Sequence, residues 1–418
     1  MYNFLKGRLL AVRLCLLTAT LLLLGIGIAT IYSVGHPAEH SPASQDEGLD
    51  VYWKKQIVFA VVGLVGFIIV NLINYRDLGA ASYWFLAGIL VLLALLLVSK
   101  FVVTLPFAKP INGTYRWISI TVAGRTLPSI QPSEFCKIAY ILALAWYLRY
   151  RSNYRNFRAL IGPFALALLP MVLILPETDL GTVMLMMPIL FTMLFVAGAK
   201  VRHLLLIILM AFLVSPLLWY KMESYQRTRI SSVLLQSAWV REKAEQHEAL
   251  GRILVGTKFS TKQWKNDWGY HLIRSKYAIA SGGINGGKGY GFRHGPFIKY
   301  SFLPERHNDF IFAVIAHQWG FWGCLAVLGL YVIIVSCGLE IVANNTDPFG
   351  KLFAVGIVAM FVVEVLINVG MTVGLMPITG LTLPLVSYGG SSLLVSMVSI
   401  GLLNNIGRCR LFSVAPKA

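Results

Sequence analysis

Ten stretches of roughly twenty apolar residues, each long enough as a helix to cross the hydrocarbon core of a bilayer, leave this chain few ways to fold. They lie near 10–33, 53–74, 79–99, 132–149, 159–175, 180–198, 203–221, 309–338, 351–374 and 390–406. Inside a bilayer every backbone N–H and C=O must be paired within the protein, and a helix does so within one segment. With 57% hydrophobic and 13% charged residues over 418 positions, a soluble domain is excluded. The expected fold is all-α and polytopic: one integral membrane domain, 1–418, with about ten transmembrane helices and a large extracytoplasmic loop, 222–308, between the seventh and eighth.

Charge orients the spans. The start is basic (Lys6, Arg8, Arg13) and runs into the first span without a cleavage site, which reads as an uncleaved signal anchor with a cytoplasmic N-terminus. Arg76, then Arg149, Arg151, Arg155 and Arg158, then Lys200 and Arg202, and finally Arg408, Arg410 and Lys417 fall on that same side, as the positive-inside rule requires. Segments 36–51, 100–131 and 222–308 then face outward. Thirty-six Lys and Arg against eighteen Asp and Glu give a net charge of +18, which suits anionic membrane lipids or a diphosphate-bearing lipid. No basic-aromatic module outside the spans points to nucleic acid. Cys15, Cys136, Cys324 and Cys337 lie in apolar spans and Cys409 in the tail, so no disulfide framework is expected.

A carboxylate at the membrane edge is costly, which singles out Asp309 at the end of Pro304-Glu305-Arg306-His307-Asn308-Asp309-Phe310. An aspartate there can simply cap the following helix. Crowded by Glu305, Arg306 and His307, it can instead act as a general base or hold a divalent cation. Glu134 and Lys137 share a helical face, and Glu177 and Asp179 lie at the outer end of the next hairpin. These predict a Lys137–Asp179 ion pair beside a water-filled cavity, or else a structural pair between helices. Glu364, one turn before Asn368, is a satisfied structural acid or a substrate contact. Gln226 and Arg229 follow the seventh span, where an arginine binds phosphate or anchors at the interface. Arg116 and Trp117 read as a binding pair or an aromatic belt.

Two glycine- and proline-rich segments behave differently. Gly282 to Gly289 has the spacing of a nucleotide loop, but Gly289 replaces the magnesium-binding hydroxyl and no strand precedes it, so no nucleotide is expected; an anion-binding nest remains open. Residues 374–392, including Pro384-Leu385-Val386-Ser387-Tyr388, cannot form one regular helix, and irregular backbone at membrane depth lines a cavity or is buried by protein. Segment 238–267, rich in Glu, Lys and Gln, reads as a surface helix or a mobile insert.

Gly113 to Trp117, Gln131-Pro132-Ser133-Glu134 with Lys137, Asp179-Leu180-Gly181-Thr182, Gln226 with Arg229, Pro304 to Phe310, and Asn368 to Ser392 together resemble the SEDS (shape, elongation, division, sporulation) family along nearly the whole chain. The resemblance implies a ten-helix glycosyltransferase of the bacterial inner membrane that polymerises lipid II into peptidoglycan glycan strands, alongside a class B penicillin-binding protein transpeptidase. It implies Asp309 as the catalytic aspartate and a central cavity lined by Lys137, Glu134, Asp179, Gln226 and Arg229. Arg116, His307, Glu305 and Ser387 complete the expected substrate site, and Asp309 is the expected ligand for a divalent cation, Mg2+ or Mn2+. The 304–307 and 225–229 stretches look more like the rod-elongation branch, RodA, than the division branch, FtsW. Two features depart from the family: Ala316-His317-Gln318 stands where Ala-Glu-Glu is usual, and 238–267 is inserted. A lipid II flippase, or a division-type polymerase or scaffold for a transpeptidase, are the rival readings.

Overall fold

A computed structural model describes residues 9–35, 49–108, 110, 113–119, 121–122, 125–126, 129–150, 157–286, 303 and 305–408. Outside them lie Lys6, Arg8, Arg151, Arg155, Pro304, the glycine run beyond Gly286, Cys409, Arg410 and Lys417.

The molecule is nearly all helix. In chain order the long helices are α1 (Leu10–Gly35), α2 (Leu49–Leu72), α3 (Tyr75–Phe101), α4 (Pro132–Leu148), α5 (Ile161–Ile174), α6 (Leu180–Val196) and α7 (Val201–Lys221). The loop region then folds as α8 (Ser224–Leu234), α9 (Ala238–Gln246), α10 (Glu248–Val255), α11 (Thr261–Asn266) and α12 (Tyr270–Gly282). The bundle closes with α13 (Ile311–Ala343), α14 (Pro348–Val373) and α15 (Gly390–Arg408). A two-residue antiparallel hairpin, Thr121–Val122 with Arg125–Thr126, sits between α3 and α4. Among the described residues, eight helices are long and apolar enough to cross a membrane. The other two expected spans form as 17-residue helices: α6, and α4, which carries Glu134 and Lys137.

Helix α14 is the hub, packed against α13, α6, α4 and α12, while α2 runs along α15 and α1 along α13. Apolar side chains such as Phe353, Ile357, Ile141 and Leu190 fill the space between them. By contrast α7 buries only Leu204 and presents its apolar surface outward, as a helix surrounded by lipid does. The insert is neither a single helix nor featureless. It forms three short helices around a small core of its own, Leu235, Ala244, Val255, Phe259 and Trp264.

The departure at Ala316-His317-Gln318 has a structural place. Helix α13 breaks at Gly320, whose φ of 61° and ψ of −153° interrupt the ladder, and the freed Phe321 N–H donates to Gly283 O at 3.0 Å. His317 Nδ1 meets Ser281 Oγ at 2.6 Å, and Gln318 Nε2 donates to Ser33 Oγ of α1. These contacts tie α13 to α12 and α1, a use for which two acids in a buried position would be costly. The junction leaves no room for a larger residue: a Cβ on Gly282 would lie 1.8 Å from Ala316 O. Gly282→Ala is therefore expected to cost about 1–3 kcal/mol. Thermal unfolding in detergent should show it, with Gly25→Ala, where a Cβ meets nothing within 4 Å, as the unaffected control.

Candidate active site

Asp309 sits in a turn rather than in a helix. Glu305 takes a left-handed φ of 47°, which lets its carbonyl accept from Asn308 N–H at 3.1 Å and Phe310 N–H at 3.3 Å. Two side chains from the broken 374–392 region and its preceding helix fix this turn. Ser387 Oγ donates to Asn308 O at 2.7 Å while accepting from Leu383 N–H at 2.8 Å. Asn368 Nδ2 donates to Asp309 O at 3.0 Å and to Leu381 O at 2.7 Å. Tyr388 N–H adds a bond to His307 O at 3.0 Å.

The turn leaves the carboxylate unspent. Phe310, not Asp309, is the N-cap of α13, so the capping role open in the sequence does not apply. The residue is half-buried, its Oδ1 is fully buried without a hydrogen-bond partner, and Oδ2 lies 3.5 Å from where a Cβ on Gly380 would be. Gly380, at φ 79°, keeps that approach open. Burial, reinforced by the negative charge of Glu305, pushes the Asp309 carboxyl up to about 7, with Arg229 and Arg116 opposing the rise.

Asp309 faces a cavity of about 880 Å³, within the range of small-molecule sites. Its walls include Arg116, Arg229, Glu134, Asp179, Glu305, Tyr388, Ser391 and Ser392. Arg116 is held by the carbonyls at the start of α6: Nε donates to Glu177 O at 2.8 Å, and Nη2 to Thr178 O and to Thr178 Oγ1. Burial, then the nearby Arg116, lower the Arg229 pKa, so an anion between the two arginines would relieve an existing repulsion.

Several expected residues are placed elsewhere. Lys137 does not pair with Asp179; its Nζ lies 2.7 Å from Glu134 Oε2 and 2.7 Å from Glu364 Oε1, all three side chains at most 8% exposed. Asp179 is satisfied without a cation, capping α6 and accepting from Ser133 Oγ at 2.8 Å, Thr182 Oγ1 at 2.9 Å and Gln131 Nε2 at 3.2 Å. Hydroxyl and amide donors already answer its charge, and the buried Lys137 is the counter-ion that two buried acids need. Gln226 is spent on a capping box with Glu223 at the start of α8. His307 stacks on Tyr52 with centroids 4.7 Å apart, and Ser387 acts on the backbone of the turn. Lys54 and Lys55 of α2, not singled out from the sequence, line the cavity as well. Two adjacent cations opening an apolar span were the signal for them.

Among the described residues no three His, Cys, Asp or Glu side chains converge as a metal site. Asp309, on the cavity wall, nonetheless offers one carboxylate ligand, and Mg2+ commonly takes one or two carboxylates together with substrate phosphates and water.

Residues 13–410 match the FtsW/RodA/SpoVE family model, described as cell cycle protein. The chain is 34% identical to peptidoglycan glycosyltransferase RodA of Treponema pallidum (strain Nichols), over 94% of this chain and 96% of that protein. To peptidoglycan glycosyltransferase MrdB of Escherichia coli (strain K12) it is 32% identical, over 88% and 87% respectively. A solved chain described under structural coordination of polymerization and crosslinking by a peptidoglycan synthase complex matches with a TM-score of 0.71 and 27% identity, covering 94% of this chain and 96% of that one.

Two outcomes follow from the charges. Lys137→Met strands two buried carboxylates and should cost roughly 3–5 kcal/mol in a detergent melt, whereas neutralising all three members, with Glu134→Gln and Glu364→Gln added, should recover much of the loss. Glu305→Gln removes a charge that disfavours ionised Asp309 and should lower the Asp309 pKa, while Arg229→Gln should raise it. Infrared titration of the protonated carboxyl band reads both directions.

Proposed function

The chain belongs to the FtsW/RodA/SpoVE family, and on that premise we propose that it is a peptidoglycan glycosyltransferase of a bacterial membrane, polymerising lipid II with Asp309 as general base. The observation that carries the reading is the half-buried Asp309, its buried Oδ1 without a hydrogen-bond partner among the described residues, on the wall of a polar cavity that also holds Arg116 and Arg229. A flippase needs the cations but not a base near neutrality, and a scaffold needs neither.

The growing glycan, carried on a polyprenyl diphosphate, binds as donor, and an incoming lipid II as acceptor. The acceptor's C4 hydroxyl oxygen attacks the donor's anomeric carbon. As that carbon–oxygen bond forms, the hydroxyl proton passes to the Asp309 carboxylate and the bond from the anomeric carbon to the diphosphate oxygen breaks. The diphosphate leaves with the bonding electrons, and the configuration inverts from α to β. A single displacement needs one base and stabilisation of the leaving anion, not a second carboxylate as nucleophile. A base whose pKa is about 7 combines a large ionised fraction at neutral pH with real proton affinity. Arg116 and Arg229 supply fixed positive charge to the departing diphosphate. When bound, Mg2+ or Mn2+ held by Asp309 would add charge neutralisation at the phosphates. No nucleotide is needed, because cleavage of the sugar–diphosphate bond drives the step.

The reading extends to setting and partner. The cavity opens to the extracytoplasmic face, with both termini cytoplasmic, and the chain serves cell elongation as its identity to RodA and MrdB supports. A class B penicillin-binding protein crosslinks the strands it makes; the likeness to a synthase complex that joins polymerization to crosslinking favours this partner.

With labelled lipid II, Asp309→Asn should remain folded and yield no glycan ladder on a gel; near wild-type polymer would refute the assignment. For the wild type, kcat/KM should rise about tenfold per pH unit below a pKa near 7 and then level, because only the ionised base works. An aspartate at its ordinary value of about 3.9 would instead leave the profile flat over roughly pH 5 to 8.

A further inference from the structure

We propose that Lys54 and Lys55, in the first turns of α2, form a second diphosphate subsite in the cavity, holding the incoming acceptor lipid while Arg116 and Arg229 hold the donor. The proposal rests on the polymerase reading and divides its substrates between two walls of one site.

Both lysines line the same cavity as Asp309, are exposed to it, and form no ion pair among the described residues. A lysine pair at a helix end commonly does no more than anchor in the headgroup region. This pair is fastened to the frame of the site. The next residue, Gln56, is fully buried; its Nε2 donates to Ser387 O at 3.1 Å and its Oε1 accepts from Gly389 N–H at 3.4 Å. On the other side Tyr52 packs between His307 and Tyr388, with centroids 4.7 Å from each. Residues 52–56 are thus joined both to the Asp309 turn and to the segment whose Ser387 holds that turn. The helix turn that carries the two cations is therefore held at a set position relative to the Asp309 turn, which an interfacial anchor does not require.

The two pairs of cations also occupy different walls. Arg116 is tied to the carbonyls that precede α6, a helix packed on α14, α5 and α4, whereas α2 packs on α15 and α1. The charges that bear most on Asp309 are those of Glu305, Arg229, Arg116 and Asp179. Substrate chemistry distinguishes near from far in the same way. The donor's diphosphate is bonded to the carbon under attack, so it must lie beside the base and the hydroxyl. The acceptor reacts at the outer sugar of its disaccharide, and its diphosphate sits two rings away. The arginines near Asp309 match the first anion and the lysines the second. A phosphate on an ammonium pair gains attraction without the geometric demand of a bidentate arginine, which suits a substrate that must move on after each addition.

The test is the Lys54→Ala/Lys55→Ala double substitution, assayed with lipid II as varied acceptor and a preformed polyprenyl-diphosphate tetrasaccharide as donor. The KM for acceptor lipid II should rise about tenfold, as loss of charge-assisted phosphate contacts implies, with the donor KM and kcat little changed. The Lys54→Arg/Lys55→Arg form should restore it. If both KM values rise together, or neither does, the proposal is overturned. A second arm works without turnover: lipid II with a fluorescent stem peptide, titrated into Asp309→Asn protein in nanodiscs, should fill two sites. Adding the two alanines should weaken one of them about tenfold, and an unchanged titration overturns the proposal. Should the wild type make no glycan at all, the polymerase reading falls, and this binding arm still decides whether the lysines hold the lipid.

Discussion

Backbone that leaves the helical path at membrane depth must find its hydrogen bonds from other parts of the protein, and the site depends on how this chain meets that requirement. Between α14 and α15 the chain runs irregularly, with Gly374, Gly380 and Leu385 all at positive φ. Ser387 accepts from Leu383 N–H of this stretch and donates to Asn308 O of the Asp309 turn, and Asn368 donates to Leu381 O and Asp309 O. The same bonds that make the irregular backbone tolerable therefore position the carboxylate. Because they are made to its main chain, Oδ1 of Asp309 is left without a hydrogen-bond partner among the described residues. Its elevated pKa is a consequence of that arrangement, burial without a compensating donor.

Charge is used in two distinct ways within a short distance. Lys137 is buried between Glu134, which also reaches the cavity wall, and Glu364, an ion-paired set that links α4 to α14 at the hub of the bundle. Arg116 and Arg229 instead stand on the cavity wall with their repulsion only partly offset by Asp309 and Asp179, and Asp309 Oδ1 has no hydrogen bond among the described residues. The first arrangement stabilises the fold as it is. The second stores electrostatic stress that an anionic substrate with a hydroxyl to donate would relieve, which is the form preorganisation takes in a catalytic site.

Much of this was legible in the chain itself, and the limits have physical causes. Span positions follow from apolar length, and Asp309 stands out because a carboxylate at a bilayer edge is costly. The break at 374–392 follows from its glycines and prolines. The partner of Lys137 was misassigned because both candidate acids lie far along the chain: Glu364 is 227 residues away, and nothing local says which of two acids the fold brings alongside. Asp179 drew attention as a charge, yet hydroxyls at Ser133 and Thr182 meet its needs, and such neutral donors leave no mark in a charge pattern. Gln226 closes a capping box with Glu223, an N-cap residue outside the usual Ser/Thr signature and so not evident from the sequence. Lys54 and Lys55 resemble ordinary interfacial anchors until the burial of Gln56 ties them to the site.

The central claim is that Asp309 receives a proton from a sugar hydroxyl beside a diphosphate held by Arg116 and Arg229. A structure of the Asp309→Asn protein with a lipid II analogue bound tests it most directly. An acceptor hydroxyl should lie within hydrogen-bond distance of the residue 309 side chain, with a diphosphate against the two arginines. A bound analogue whose sugars lie away from residue 309, or whose diphosphate engages neither arginine, would contradict it.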